Sequence, residues 1–218
     1  MGRKFWIALA AVLSGLVAHG VFARPHTPGM VQLKVSVFND AAVAQPVLQA
    51  AETRAEAVLA EAGISLTWLD CGAPGRWHTE LACQDLAFPT HLSVRLVAGK
   101  KAVSPETFGQ SFLNERGEGN YASVYVERLS SSKALDLVNE GDLLGYVVVH
   151  ELGHLLLGKD SHSTDGLMRA KWEVAELREA AKGKLLFTRN ETELMRVRYW
   201  SAVARAEAAP TKQAASGK

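Results

Sequence analysis

The run His150-Glu151-Leu152-Gly153-His154 is the part of this sequence whose residue types and spacing can do chemistry. On an α-helix, positions i and i+4 lie on one face a turn apart, so both imidazoles can reach a single ion. Glu151 sits about 100° around such a helix from His150, beside the ion rather than on it. There its carboxylate can take a proton from a bound water. Neutral imidazole suits zinc, and two such ligands leave positions for a third residue and a water. The pattern therefore meets the needs of hydrolysis by a zinc-activated water with Glu151 as general base. Val147-Val148-Val149 before the motif and Leu155-Leu156-Leu157 after it mark a buried helix. Two histidines and a glutamate left unpaired inside it would be costly, and a ligand role removes that cost. Gly153 costs the helix about 1 kcal/mol relative to alanine, which points to close approach by a neighbouring backbone.

Gly158, His162-Ser163 and Gly166-Leu167-Met168 follow the helix. With the motif, they resemble the metzincin clan of zinc peptidases, in which HExxHxxGxxH supplies three ligands and a methionine turn lies beneath the metal. The resemblance implies one zinc ion held by His150, His154 and His162, with Met168 in the methionine turn. The spacing departs from the family pattern, because Gly158 is four residues after His154 and His162 is four after Gly158. By strict count the third-ligand position falls on Asp160, and zinc also accepts carboxylate oxygen. Asp160 is therefore the alternative third ligand, and Asp165 a more distant one. A helix one residue longer favours His162. Read without the resemblance, Met168 is an ordinary core methionine. Ala170 stands where the family often has a tyrosine, so that contact is absent or made elsewhere. Arg169 is expected to be an exposed, salt-bridging residue.

The surrounding elements follow from periodicity. Val31 to Phe38 alternates as a strand, Pro46 to Ala62 has helical spacing closed by Gly63, and Ile64, Leu66 and Trp68 alternate again. Strand, helix, strand predicts a parallel pair with a crossover helix. Cys71 to Pro89 reads as a loop, and Leu92 to Val97 as a third strand. Thr107 to Leu113 and Tyr121 to Arg128 flank the polar stretch Asn114 to Asn120, which predicts a hairpin and a mixed sheet. Ser130 to Lys133 is a polar break. The motif helix runs from about Asn139 to Leu157, with Gly158 as its left-handed cap. Two further helices are expected, near Trp172 to Ala181 and near Asn190 to Ala206, the second opened by a Thr188/Glu191 capping box. The expected fold is α+β: a mixed twisted sheet with a crossover helix and an active-site helix, followed by a small helical C-terminal lobe. This layout resembles the zincin/metzincin architecture. In that family a peptide substrate adds a strand at the sheet edge, and the matching segment is Phe108-Gly109-Gln110-Ser111-Phe112-Leu113.

At 218 residues, 48% hydrophobic and 22% charged, the chain can bury the core of one domain. A formal charge of +1 gives no electrostatic reason to expect nucleic acid. Arg3 and Lys4, the apolar run Phe5 to Ala18 and the small residues of Val21-Phe22-Ala23 read as a signal peptide over 1–23. The alternative is an uncleaved anchor, against which the short apolar run argues. Cleavage removes Arg3 and Lys4 and takes the charge from +1 to −1. A single metallopeptidase-like domain is expected over 24–206, its sheet-containing part reaching about 158 and its helical part spanning 159–206. A disordered tail is expected over 207–218. About seven residues between the cleavage site and the first strand leave no room for a folded propeptide. Cys71 and Cys83 in an exported chain predict one disulfide, which would contribute about 3 kcal/mol. Free thiols or metal ligation are the alternatives, but no further cysteine supports a thiolate site. His26, His78 and His91 have no partner at ligand spacing and read as surface or loop residues. The function expected is that of an exported (periplasmic or secreted) zinc metalloendopeptidase, a monomer acting on protein or peptide, without nucleic acid or stable membrane association. The alternatives are a non-catalytic exported zinc-containing binding domain and a zinc hydrolase of a non-peptide amide or ester.

Overall fold

Val31, Leu33, Val35 and Val37 face the core from strand β1 (Val31–Asn39), while Gln32 and Lys34 between them face solvent. This is one residue longer than the alternation alone predicts. The computed structural model of the chain describes residues 29–72, 81–99 and 107–208; the expected leader, the tail beyond 208, His26 and His78 lie outside them. Helix α1 (Gln45–Glu61) buries Leu48, Ala51, Ala55, Val58 and Leu59 on one face. The chain turns at Gly63, whose φ of 73° suits a residue without a side chain. It returns as β2 (Ile64–Asp70), parallel to β1. The crossover pair is therefore as expected.

The described part of the 71–89 stretch contains a four-residue helix, α2 (Leu81–Gln84), and Cys71 and Cys83 are joined in a disulfide with Cα atoms 5.9 Å apart. β3 (His91–Val97) pairs in parallel with β1. His91 is not a surface residue. It is 5% exposed, its Nδ1 lies 2.7 Å from the Asp85 carbonyl and its Nε2 lies 2.8 Å from Ser36 Oγ. A carbonyl only accepts, so Nδ1 carries the hydrogen and Nε2 accepts from the serine. That pairing is why Ser36, also buried, breaks the alternation of β1.

The hairpin forms from β4 (Gly109–Phe112) and β5 (Tyr121–Tyr125), paired antiparallel, with β5 parallel to β3. The second strand stops three residues short of Arg128. Val126 and Leu129 follow a three-residue spacing, and the chain coils into α3 (Val126–Ser130) with Leu129 buried. The expected polar break over Ser130 to Lys133 lies between α3 and a 3₁₀ turn (Lys133–Asp136), which begins at its last residue. The sheet order is β2-β1-β3-β5-β4, so β4 has no strand on its outer side among the described residues.

α4 (Glu140–Leu157) begins at Asn139, whose side chain accepts the Asp142 amide, and buries residues on nearly every face. It lies against α1 and over the same face of the sheet. Gly158 closes it with φ 89°, ψ −161°. The positive φ was expected, but ψ is extended rather than left-handed helical. α5 (Val174–Ala181) starts two residues later than expected, because Glu173 and Glu176 form a capping box there. In α6 (Arg189–Ala208) the Thr188/Glu191 box is present, with Thr188 N donating to Glu191 Oε2 at 2.7 Å and Glu191 N to Thr188 Oγ1 at 3.3 Å. The Tyr199 hydroxyl donates to the Gln32 carbonyl at 2.6 Å and ties this helical part to β1. No helix among the described residues is long and apolar enough to cross a membrane.

Candidate metal centre

α4 places His150 and His154 one turn apart, as i and i+4 positions must be. The chain then reverses through Gly158 and through Asp160, whose φ is 55°. This reversal returns His162 to the helix face. His154 Nε2 lies 3.1 Å from His150 Nε2 and 3.1 Å from His162 Nε2. Among the described residues these three form the group of donor side chains able to hold an ion, with all their donor atoms within 4.8 Å of one another. Asp160 and Asp165 are not part of it. Asp160 does line the same cavity.

The donor set fits zinc. His150 Nδ1 lies 2.8 Å from the Leu167 carbonyl, an acceptor only, so Nδ1 carries the hydrogen and the Nε2 lone pair points into the cluster. His154 Nδ1 lies 2.7 Å from Ser161 Oγ, so its second nitrogen is also hydrogen-bonded and Nε2 is left for the cluster. Nε2 of His154 lies 3.1 Å from Nε2 of both other rings, and all three donor atoms lie within 4.8 Å of one another, so one cation can lie among them. Tetrahedral ligands at 2.0–2.1 Å from zinc lie about 3.3 Å apart, close to the separations here. Burial pushes His150 down to about 4. Burial and the two neighbouring imidazoles push His154 down to about 3, and burial also lowers His162. All three rings are therefore neutral near pH 7, the form that binds a metal.

Glu151 is 4% exposed, and burial raises its carboxyl to about 7 against the opposing effect of a hydrogen bond from Ser111. Ser111 Oγ lies 2.7 Å from Glu151 Oε2 and 2.8 Å from the Glu151 carbonyl oxygen. Met168 is fully buried beneath the helix. A Cβ on Gly153 would lie 2.5 Å from its sulfur and 2.9 Å from a Phe187 ring carbon. The close approach at Gly153 is thus by side chains, not by the backbone expected. Arg169 is held by Glu176 at 2.8 Å and Glu173 at 3.2 Å.

The three histidines and Glu151 open onto a cavity of about 1090 Å³. Phe108, Gly109, Gln110, Ser111 and Leu113 line it, but Phe112 turns away, 45% exposed, with its ring centroid 5.1 Å from that of Tyr121. Leu137, Trp172, Val174 and Leu177 also line the cavity. Sequence reasoning placed Ser111 on the edge strand but not against Glu151, and it missed Ser161 and Trp172, whose indole donates to the same Leu167 carbonyl that holds His150. Only Ser161 carried a signal, its place next to His162. The other two meet the site through tertiary packing.

No family model matches the chain, and a search of curated proteins finds no match. Among solved structures, the chain is similar to a crystal structure of archaemetzincin from Methanopyrus kandleri, with a TM-score of 0.51 and 18% identity. The match covers 80% of this chain and 98% of that one. At this identity the likeness shows the fold, which is the metzincin-like α+β architecture expected from the sequence.

Proposed function

We propose that this protein is an exported, zinc-dependent metallopeptidase that hydrolyses peptide bonds in proteins or peptides with Glu151 as its general base. The observation that carries the reading is the convergence of three neutral imidazole nitrogens beside a buried carboxyl, in a cavity bounded by β4, the outer strand of the sheet among the described residues. The likeness to archaemetzincin supports it at the level of fold.

His150, His154 and His162 would hold one zinc ion, which when bound lowers the pKa of a water and polarises a carbonyl. The Leu167 carbonyl and the Ser161 hydroxyl fix the rings of His150 and His154, so neither ligand has to reorient. Glu151 accepts the proton of the attacking water and hands it to the nitrogen of the leaving amine. β4 pairs with the peptide backbone as an added strand, through the segment from Phe108 to Leu113. Glu151 argues against a purely structural zinc site, which has no use for a base.

The test is hydrolysis of a mixed peptide library by the zinc-loaded protein, run beside Glu151→Gln with zinc content measured in both. Cleavage should fall at least a hundredfold in the variant while zinc stays bound. Zinc bound at one ion per chain with no cleavage by the parent overturns the peptidase reading. N-terminal sequencing of the protein from a cell envelope or culture medium tests export, with Arg24 the expected first residue.

A further inference from the structure

The carboxyl of Glu151 is held from outside its own helix. Gly109 and Ser111 are two residues apart on β4, so they face the same side of the strand, and that side faces Glu151. At Gly109 a Cβ would lie 2.5 Å from Glu151 Oε1, 2.6 Å from Cγ and 2.7 Å from Cδ. Any side chain there would displace the carboxyl. Ser111 then supplies the polar contact, with its Oγ 2.7 Å from Oε2.

We propose that Gly109 and Ser111 are positioning residues for Glu151, a notch and a hydroxyl that keep its carboxyl in one place through both halves of proton transfer. The inference rests on the reading of Glu151 as the general base. A hydroxyl has one hydrogen to donate and two lone pairs to accept with. It donates to the carboxylate when Glu151 is charged. When Glu151 takes the proton of the water on Oε1, from which it passes to the leaving amine, Oε2 remains an acceptor and Ser111 Oγ keeps donating to it at 2.7 Å. Both states are satisfied without movement of the carboxyl, and an alanine satisfies neither. β4 thereby serves two ends, since the strand proposed to pair with the substrate also sets the position of the base.

Three variants test this, Ser111→Ala, Ser111→Thr and Gly109→Ala, each with zinc content, kcat, KM and a crystal structure of the zinc-loaded protein. Ser111→Ala should lower kcat about tenfold with KM and zinc content unchanged, and Ser111→Thr should restore most of it. Gly109→Ala should lower kcat about a hundredfold, because it moves the carboxyl itself. In the crystals the Glu151 carboxyl should stay within hydrogen-bond distance of residue 111 in the parent and the threonine variant, and rotate away in Ser111→Ala. A carboxyl that keeps its place in Ser111→Ala, or an unchanged kcat in that variant, overturns the proposal. If the parent cleaves nothing, the peptidase reading fails, and the crystal structures still decide whether Ser111 holds the carboxyl.

Discussion

A ligand histidine needs one nitrogen for the metal and something to hold the other. His150 and His154 each have such a partner, the Leu167 carbonyl and the Ser161 hydroxyl, whereas His162 is more exposed and is brought in by the turn that contains Asp160. The third position is therefore where a substitution separates the alternatives most cleanly. His162→Ala should weaken zinc affinity at least a hundredfold, whereas Asp160→Asn should change it less than threefold, as read by competition with a zinc chelator at pH 7. The reverse order would mean that the aspartate swings onto the ion and that the cluster of three imidazoles is not the binding form. Counting residues from His154 pointed to Asp160, and the one-residue extension of α4 to Leu157 is the reason His162 is the side chain in the cluster. That extension was legible in the position of Gly158. The contact of Ser111 with Glu151 was not, since the two are 40 residues apart and meet only when the sheet edge folds against α4.

The elements were more legible than their contacts. Alternation marked β1 and β2, helical spacing marked α1, the motif with its apolar flanks and Gly158 marked α4, and the polar Asn114 to Asn120 stretch marked the hairpin, because each signal is local. Tyr121 to Arg128 misled as a single strand because Val126 and Leu129 serve a short helix, and five residues are too few for a period to declare itself. The close packing of α1 on α4 left no pattern in either helix alone. It depends on Gly145, where a Cβ would lie 2.6 Å from the Ala51 carbonyl oxygen and 2.8 Å from Arg54 Cβ. The first of these is backbone and cannot rotate aside. Gly145→Ala gains about 1 kcal/mol of helix propensity, yet it must push the helices apart. A net loss of about 1–2 kcal/mol in chemical denaturation is expected, with zinc binding by the folded fraction unchanged. A variant as stable as the parent would show that the two helices have slack at this crossing.

At the scale of the whole molecule, the candidate metal centre is a cost that the metal-free fold carries, and its sign depends on pH. The unfolded chain's histidines protonate near 6.5, but His150 and His154 in the folded protein stay neutral down to about 4 and about 3. Across that window the unfolded chain binds more protons, so stability falls as the pH drops from 6.5 towards 4. Glu151 acts in the opposite sense, because its folded value near 7 lies above the unfolded 4.5. Its contribution is fully present below 4.5 and is lost as the pH rises through 7. Between 4.5 and 6.5 His150 and His154, with His162 acting in the same direction, outweigh one glutamate. Below 4.5 the carboxyl is protonated in both states and no longer offsets them, whereas from 6.5 to 7 the glutamate alone acts. The metal-free protein should therefore melt highest near pH 6.5, decline gently above it and decline steeply towards pH 4. Thermal melts from pH 4 to 8 in the presence of a chelator read this directly, and a His150→Leu/His154→Leu variant should flatten the acid limb. If that limb stays equally steep in the variant, the acid lability belongs to other groups, and the buried imidazoles are not what the fold strains to keep neutral.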